Sequence, residues 1–215
     1  MHIASTGSIN NTESSASYLL NNAVNFSMKK KHSLLDFNNS WVYGAQQTGL
    51  TNNDVSSLLD FNIYPASRRF YYWGLASYLS SFSLKINNQY QAGLGLAYNI
   101  LDKQPISLNV SDGIVYDQSD IYLQDSVRDR YNTFRNSLRV MLTMRYRDLI
   151  AFHGTAFYQN SFSLSTDYIV KADLGLDFKV YRWLHFTTAF IYNRFNRTQR
   201  ENVLFTYGLS VVRYF

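Results

Sequence analysis

The chain has 215 residues, a net charge of +5 and no cysteine, which excludes disulfides, thiolate metal sites and a cysteine nucleophile. The mean hydropathy is −0.24, and the absence of an apolar run of about 18 residues excludes a transmembrane helix. Aromatic residues make up 17% of the chain and there are two prolines, a composition typical of many half-buried strands.

Twelve strands are predicted between turn signals. In chain order they cover about residues 2–9, 18–28, 35–43, 59–63, 69–80, 90–100, 105–116, 134–144, 149–158, 168–180, 184–192 and 202–215. The alternation is clearest in the tenth, where Leu174 and Phe178 fall on one face and Lys171 and Asp173 on the other. Recurrence of this pattern along nearly the whole chain predicts an all-β fold, a transmembrane antiparallel β-barrel with lipid outside and a polar lumen.

The connections alternate in length. Longer ones are expected at 45–54, 81–89, 117–131, 159–167 and 195–201, and tight ones at 29–31, 65–68, 101–104, 145–148 and 181–183. Outer-membrane barrels have short periplasmic turns and longer outside loops, so the tight turns are assigned to the periplasm. No linker interrupts the pattern, and residues 1–215 are expected to form a single domain.

Several stretches resemble the YdiY-like outer-membrane barrels, a family without an established function. They are residues 10–16, Tyr64-Pro65 with 68–72, residues 92–98, residues 172–178 and the ending 206–215. The resemblance implies a Gram-negative outer membrane, a monomer, a signal peptide removed from the precursor, and no catalytic residues. Residues 1–5 lack secretory-signal features, so upstream residues are expected in the precursor. Phe215 closes the outward series of the last strand, which Arg213 interrupts.

The polar phase of strands eight to eleven collects the candidate lumen lining: Arg135, Arg139, His153, Lys171, Asp173, Asp177, Lys179 and His185. These side chains either form the charged wall of a pore or solute site, or pair with one another and fill the lumen. The spacing predicts that the two arginines face the two aspartates as opposite-charge ladders. Ladders separated by water form a pore, ladders in contact close it, and we expect them to pair in part and leave a narrow, weakly conducting passage.

Other classes of chemistry are disfavoured. An outer-membrane lipase needs a serine–histidine pair on the lipid side, whereas His153 and His185 fall on the lumen phase. We therefore expect no enzyme activity, no metal, no cofactor and no nucleic-acid partner. The tight turns are basic, with lysines at 29–31 and 103 and arginines at 68, 69, 145, 147 and 182 against only Asp102 and Asp148. These turns either meet anionic headgroups or an acidic partner, or only anchor the barrel.

The hypothesis is a narrow pore or small-solute-binding barrel in the outer membrane. One alternative is a structural or accessory envelope protein with a plugged lumen, and another is a soluble β-barrel that binds an apolar ligand. The expected partners are membrane lipid, the assembly machinery of the outer membrane during biogenesis, and a small solute.

Overall fold

The fold is one antiparallel sheet of twelve strands that pair in sequence order. The computed structural model describes residues 2–11, 16–65, 69–123 and 127–211, and Arg213 and Phe215 lie outside this range. The strands are β1 His2–Asn11, β2 Ala16–Lys30, β3 Ser33–Gln46, β4 Gly49–Ile63, β5 Phe70–Ser81, β6 Ile86–Lys103, β7 Ile106–Leu123, β8 Val127–Tyr146, β9 Ile150–Ser161, β10 Tyr168–Tyr181, β11 Leu184–Phe195 and β12 Arg200–Val211. The predicted β-barrel fold is confirmed. Helices of the length and apolar character that a membrane span requires do not occur in the described residues.

The outer face of the sheet is apolar and the inner face is polar. On β6, Leu94 and Leu96 are 73% and 55% exposed on the outside, whereas Gln89 and Gln91 are 2% and 5% exposed on the inside. A soluble barrel has the opposite arrangement, because its apolar side chains form the core. The alternative of a soluble apolar-ligand binder is therefore wrong.

Aromatic side chains border this apolar surface at both ends. The end with the connections after β1, β3, β5, β7, β9 and β11 is called the loop end, and the opposite end the turn end. Ring pairs at the loop end include Tyr116–Phe134, with centroids 5.3 Å apart, and at the turn end Phe70–Tyr98, at 4.7 Å. On β6, Tyr90 and Tyr98 lie eight residues apart, about 27 Å along a strand. Such spacing fits the apolar band of a transmembrane barrel, which is about 25 Å tall.

Two segments predicted as loops belong largely to strands. The predicted loop 117–131 contains the end of β7 and the start of β8, and the predicted loop 45–54 reduces to a turn at 47–48. The polar residues that indicated a loop face the lumen instead: Asp117 and Ser119 are buried there, with Ile121 beside them. Because their side chains find partners inside, the backbone continues its ladder up to the pair Leu123 and Val127.

A hydrogen-bonded polar pair of β7 and β8 interrupts the apolar outer face. Asn136 of β8 donates a hydrogen bond of 2.8 Å to the Asp112 carboxylate of β7. The two residues lie next to Ile114 and Phe134 on the outer surface, one step from the aromatic border at the loop end. A hydrogen bond reduces the cost of a polar group beside lipid, which explains how the pair is tolerated.

Candidate functional site

The lumen contains a fully buried arginine that is held by two carboxylates. Arg135 of β8 is 0% exposed, and its Nε donates to Asp117 of β7 over 2.6 Å. Its Nη2 lies 2.9 Å from Asp167, which belongs to the connection between β9 and β10, and also donates to the Tyr131 hydroxyl over 3.0 Å. A buried charge is tolerated only when it is paired and hydrogen-bonded, and Arg135 satisfies both conditions.

Asp117 gathers further donors around this arginine. The amides of Gln89 and Gln91 donate to its carboxylate over 3.0 and 3.1 Å, and the Ser119 hydroxyl donates over 2.5 Å. Gln91 also donates to Gln159 of β9 over 3.1 Å, which carries the network across four strands. The wall formed by β6 to β9 is therefore hydrogen-bonded and closed to water at this level.

A second arginine extends the network to the loop end. Arg197, in the connection between β11 and β12, donates to Asp129 of β8 over 2.8 Å and to Asp167 over 3.3 Å. Its guanidinium carbon lies 3.7 Å from the centroid of the Tyr131 ring. These contacts hold the last connection of the chain against β8.

Outside the apolar band, the hairpin of β7 and β8 carries its own ion pair. Arg128 donates to Asp120 through Nε and Nη2 over 2.8 and 2.5 Å. Hydrogen bonding from this guanidinium holds the pKa of the Asp120 carboxyl well below its usual value. The pair reinforces the part of the hairpin that extends past the aromatic border.

Closer to the turn end, a third arginine bridges the lumen. Arg139 of β8 lies 3.0 Å from the Asp60 carboxylate of β4 and donates to the Ser111 hydroxyl over 3.1 Å. Its guanidinium carbon is 5.9 Å from the Trp73 ring centroid and 5.8 Å from that of Phe157. Because β4 and β8 are four strands apart in the sheet, this ion pair crosses the interior rather than following the wall.

Two glycines make room for the tryptophan of this group. Gly95 and Gly113 lie directly opposite each other on β6 and β7, and Trp73 packs over both. A Cβ added to Gly95 would lie 2.6 Å from Trp73 Cζ2, and one added to Gly113 would lie 2.5 Å from it. Any larger residue at either position would displace the indole from beside Arg139.

An apolar cluster lies inside the lumen near the loop end. It consists of Leu84, Ile86, Ile121, Ile169 and Phe195, each 5% exposed or less. These residues come from β6, β7, β10 and β11 and from the connection before β6. Together with the Arg135 network, they fill the loop-end part of the interior next to these strands.

All eight predicted lining residues lie on the inner face, but their environments differ. Arg135 and Arg139 are buried, whereas Asp173 and His153 are exposed. The remaining four, Lys171, Asp177, Lys179 and His185, are half-buried. The His153 ring lies over Gly175, its partner on β10, and His185 Nδ1 lies 3.0 Å from Asp177.

The predicted opposite-charge ladders are wrong in their pairing. Arg135 and Arg139 contact Asp117, Asp167 and Asp60, and neither contacts Asp173 or Asp177 among the ion pairs of the described residues. The reason is geometric. The arginines point toward β7 and across the lumen to β4, whereas the two aspartates stay on β10 beside β11.

A cleft opens at the turn end of the lumen, with a volume of about 810 Å³. The turns at 104–105 and 147–149 border it, together with the turn-end parts of β10 and β11. Lys103, Arg145, Lys179 and the Asp177–His185 pair line its wall. We name this feature the inner cleft.

A family model described as "Protein of unknown function, DUF481" matches residues 6–212. The chain belongs to this family. The membership agrees with the resemblance to a barrel family of unknown function that the sequence indicated. None of the curated proteins compared with the chain matches it.

Two solved structures show the same fold. The NanC porin is 9% identical over 97% of this chain and 98% of its own, with a TM-score of 0.56. The translocator domain of the autotransporter NalP from Neisseria meningitidis is 14% identical over 99% of this chain and 86% of its own, with a TM-score of 0.52. At these identities the likeness concerns the fold, which many functions share.

Sequence reasoning missed several members of the site. The sequence pattern assigns Asp117 and Asp129 to a loop and Asp167 to a connection, and it indicates no role for Asp60 or Arg197. The available signal was the alternation itself, since Asp117, Ser119 and Ile121 continue the inward phase of β7. Following that phase through the polar stretch would have extended the strand and found Asp117.

Proposed function

We propose that the protein is an outer-membrane barrel with a narrow passage for small polar solutes, and that its turn end faces the periplasm of a Gram-negative bacterium. The apolar band between two aromatic borders supports membrane insertion, since this arrangement is typical of transmembrane barrels. A polar inner face supports a passage rather than a packed core. The porin-like fold shared with NanC agrees with this proposal.

The observation that carries the proposal is the unequal burial of the lumen charges. The wall of β6 to β9 is sealed around Arg135, which is 0% exposed. On β10, by contrast, Asp173 is exposed and Lys179 is half-buried, so these charges remain in water. Charges that stay hydrated along one wall provide the path that a conducting lumen needs.

Single-channel recording on the folded protein tests this proposal. Asp173→Asn removes one negative charge from the hydrated wall, and we expect the channel to shift toward anions without losing conductance. Asp112→Asn is the matched control, because it makes the same chemical change on the outer surface. The absence of channel currents from folded protein, or an equal change of ion selectivity in both variants, would refute the proposed passage.

A second candidate is the accessory envelope protein with a plugged lumen. The apolar cluster around Ile121 and Phe195 favours it, since a conducting lumen has no need for a dry region near one mouth. Silence of the folded wild-type protein in the bilayer, with normal membrane insertion, would support this candidate over the passage.

We further propose that the protein is made as an exported precursor, is inserted by the outer-membrane assembly machinery, and acts as a monomer without enzymatic activity. Membrane fractionation of a Gram-negative host and the mass of the detergent-solubilised particle test the location and the oligomeric state. Recovery in the soluble fraction would contradict the location.

A further inference from the structure

The inner cleft combines a volume suited to small molecules with cationic side chains on its wall. It has a volume of about 810 Å³, within the range of small-molecule sites. Lys103, Arg145 and Lys179 line it, and within the described part of the chain none of the three lies within ion-pair distance of a carboxylate. Elsewhere in the lumen, Arg135 and Arg139 each have a carboxylate partner.

The strand register explains why these cations stay unpaired. Arg145 and Asp177 both flank Ala151, one from β8 and the other from β10, so they occupy the same level of the inner face. Asp177 nevertheless lies against His185, at 3.0 Å, and not against Arg145. Lys179 is directly opposite His185 on the neighbouring strand. The histidine thus contacts the carboxylate that shares the inner face with the two cations.

We infer that the inner cleft binds a small solute that carries a carboxylate or phosphate group, with Arg145 and Lys179 as its principal contacts. A guanidinium offers paired N–H donors that match the oxygens of such a group, and an ammonium adds a point charge. Asp102, Asp148 and Asp177 also line the cleft, together with Arg147, so its lining carries four cationic side chains against three carboxylates. The inference goes beyond the proposed passage, because a solute binds here whether or not the lumen conducts.

Calorimetric titration of the full chain in zwitterionic detergent tests the site. The probes are glucose 6-phosphate and glucose, which differ only in the phosphate. We expect glucose 6-phosphate to bind and glucose to bind at least about tenfold more weakly, the difference made by one charge-assisted hydrogen bond. Equal binding of the two probes, or no binding of glucose 6-phosphate, would overturn the inference.

Variants locate the binding. Arg145→Gln and Lys179→Gln should each weaken glucose 6-phosphate binding by about fivefold to tenfold. Arg182→Gln is the matched control, since Arg182 is an exposed arginine of the same rim that does not line the cleft. Loss of binding in the control, or unchanged binding in both cleft variants, would refute the assignment.

An experiment in two lipid compositions distinguishes the binding of a free solute from the binding of a phosphate-bearing lipid headgroup. In phosphatidylcholine nanodiscs, with and without phosphatidylglycerol, the affinity for glucose 6-phosphate should be the same. Weaker binding of glucose 6-phosphate in the presence of phosphatidylglycerol would show that lipid headgroups bind the cationic side chains of the inner cleft, and would overturn the solute site. A silent bilayer recording with intact probe binding would contradict only the passage, so the two failures are distinguishable.

Discussion

Replacing Arg135 tests how much a fully buried charge contributes to stability. Arg135→Met keeps much of the side-chain length but removes the cation that Asp117 and Asp167 share. Both aspartates are 1% exposed or less, so water cannot replace the arginine without a rearrangement of the wall. The variant therefore leaves two carboxylates near each other in a dry part of the lumen.

The expected cost follows from the contacts that remain. Removal of one partner from a buried ion pair costs about 3–5 kcal/mol. Asp117 keeps the Gln89, Gln91 and Ser119 donors, and Asp167 keeps the more distant Arg197 at 3.3 Å. Because these partners offset part of the loss, we expect a decrease of about 3 kcal/mol in the free energy of unfolding, the lower end of that range.

The measurement is urea-induced unfolding in lipid vesicles, followed by tryptophan fluorescence. Arg182→Met is the control, and its exposed side chain should contribute less than about 0.5 kcal/mol. Adding Asp117→Asn to Arg135→Met removes one uncompensated charge and should restore about 1–2 kcal/mol. Equal stability of the Arg135 and Arg182 variants would refute the argument that the network stabilises the barrel.

Three further predictions concern the faces, the loop end and pH. Leu174→Arg should block stable insertion, because arginine near the bilayer midplane costs about 2–4 kcal/mol, whereas Asp173→Asn should insert normally. The heat-dependent shift of the folded barrel on gels measures insertion. Equal damage from both variants would mean that the assignment of the two faces is wrong. Arg197→Ala frees the last connection from β8, so proteolysis within 196–199 should become faster, and an unchanged rate would contradict the role of its contacts. The lowered pKa of Asp120 means that its ion pair with Arg128 stabilises the hairpin above the ordinary aspartate pKa of about 3.9 and is lost as pH falls below it. Amide exchange in this hairpin should therefore be constant from about pH 5 upward after correction for intrinsic rates, and lose protection only in stronger acid.

The sequence by itself determined the fold class and the two faces of the sheet. Each strand carries its own alternation, as in β10, where Leu174 and Phe178 lie outside and Asp173 and Asp177 inside. This information is local, because successive residues of a strand always point to opposite sides. The all-β fold, and the face of the sheet on which each of the eight lining residues lies, could therefore be predicted from the sequence.

Strand lengths were less accessible to the same reasoning. A polar stretch such as 117–131 is typical of a loop when the residues face water. In this barrel, the inward half of that stretch finds partners in the lumen, and Arg135 is the partner of Asp117. Whether polar residues belong to a loop or a strand depended on contacts that no local window contains.

The partners of the lumen charges were decided by the tertiary structure alone. Arg139 pairs with Asp60, 79 residues earlier in the chain, and Arg135 pairs with Asp167, 32 residues later. The pattern of a strand predicts which face a side chain joins, but the stagger between strands and the curvature of the sheet set which level and which wall it meets. These long-range quantities left Arg145 and Lys179 without carboxylate partners in the described structure, and so created a cleft for an anion at the turn end.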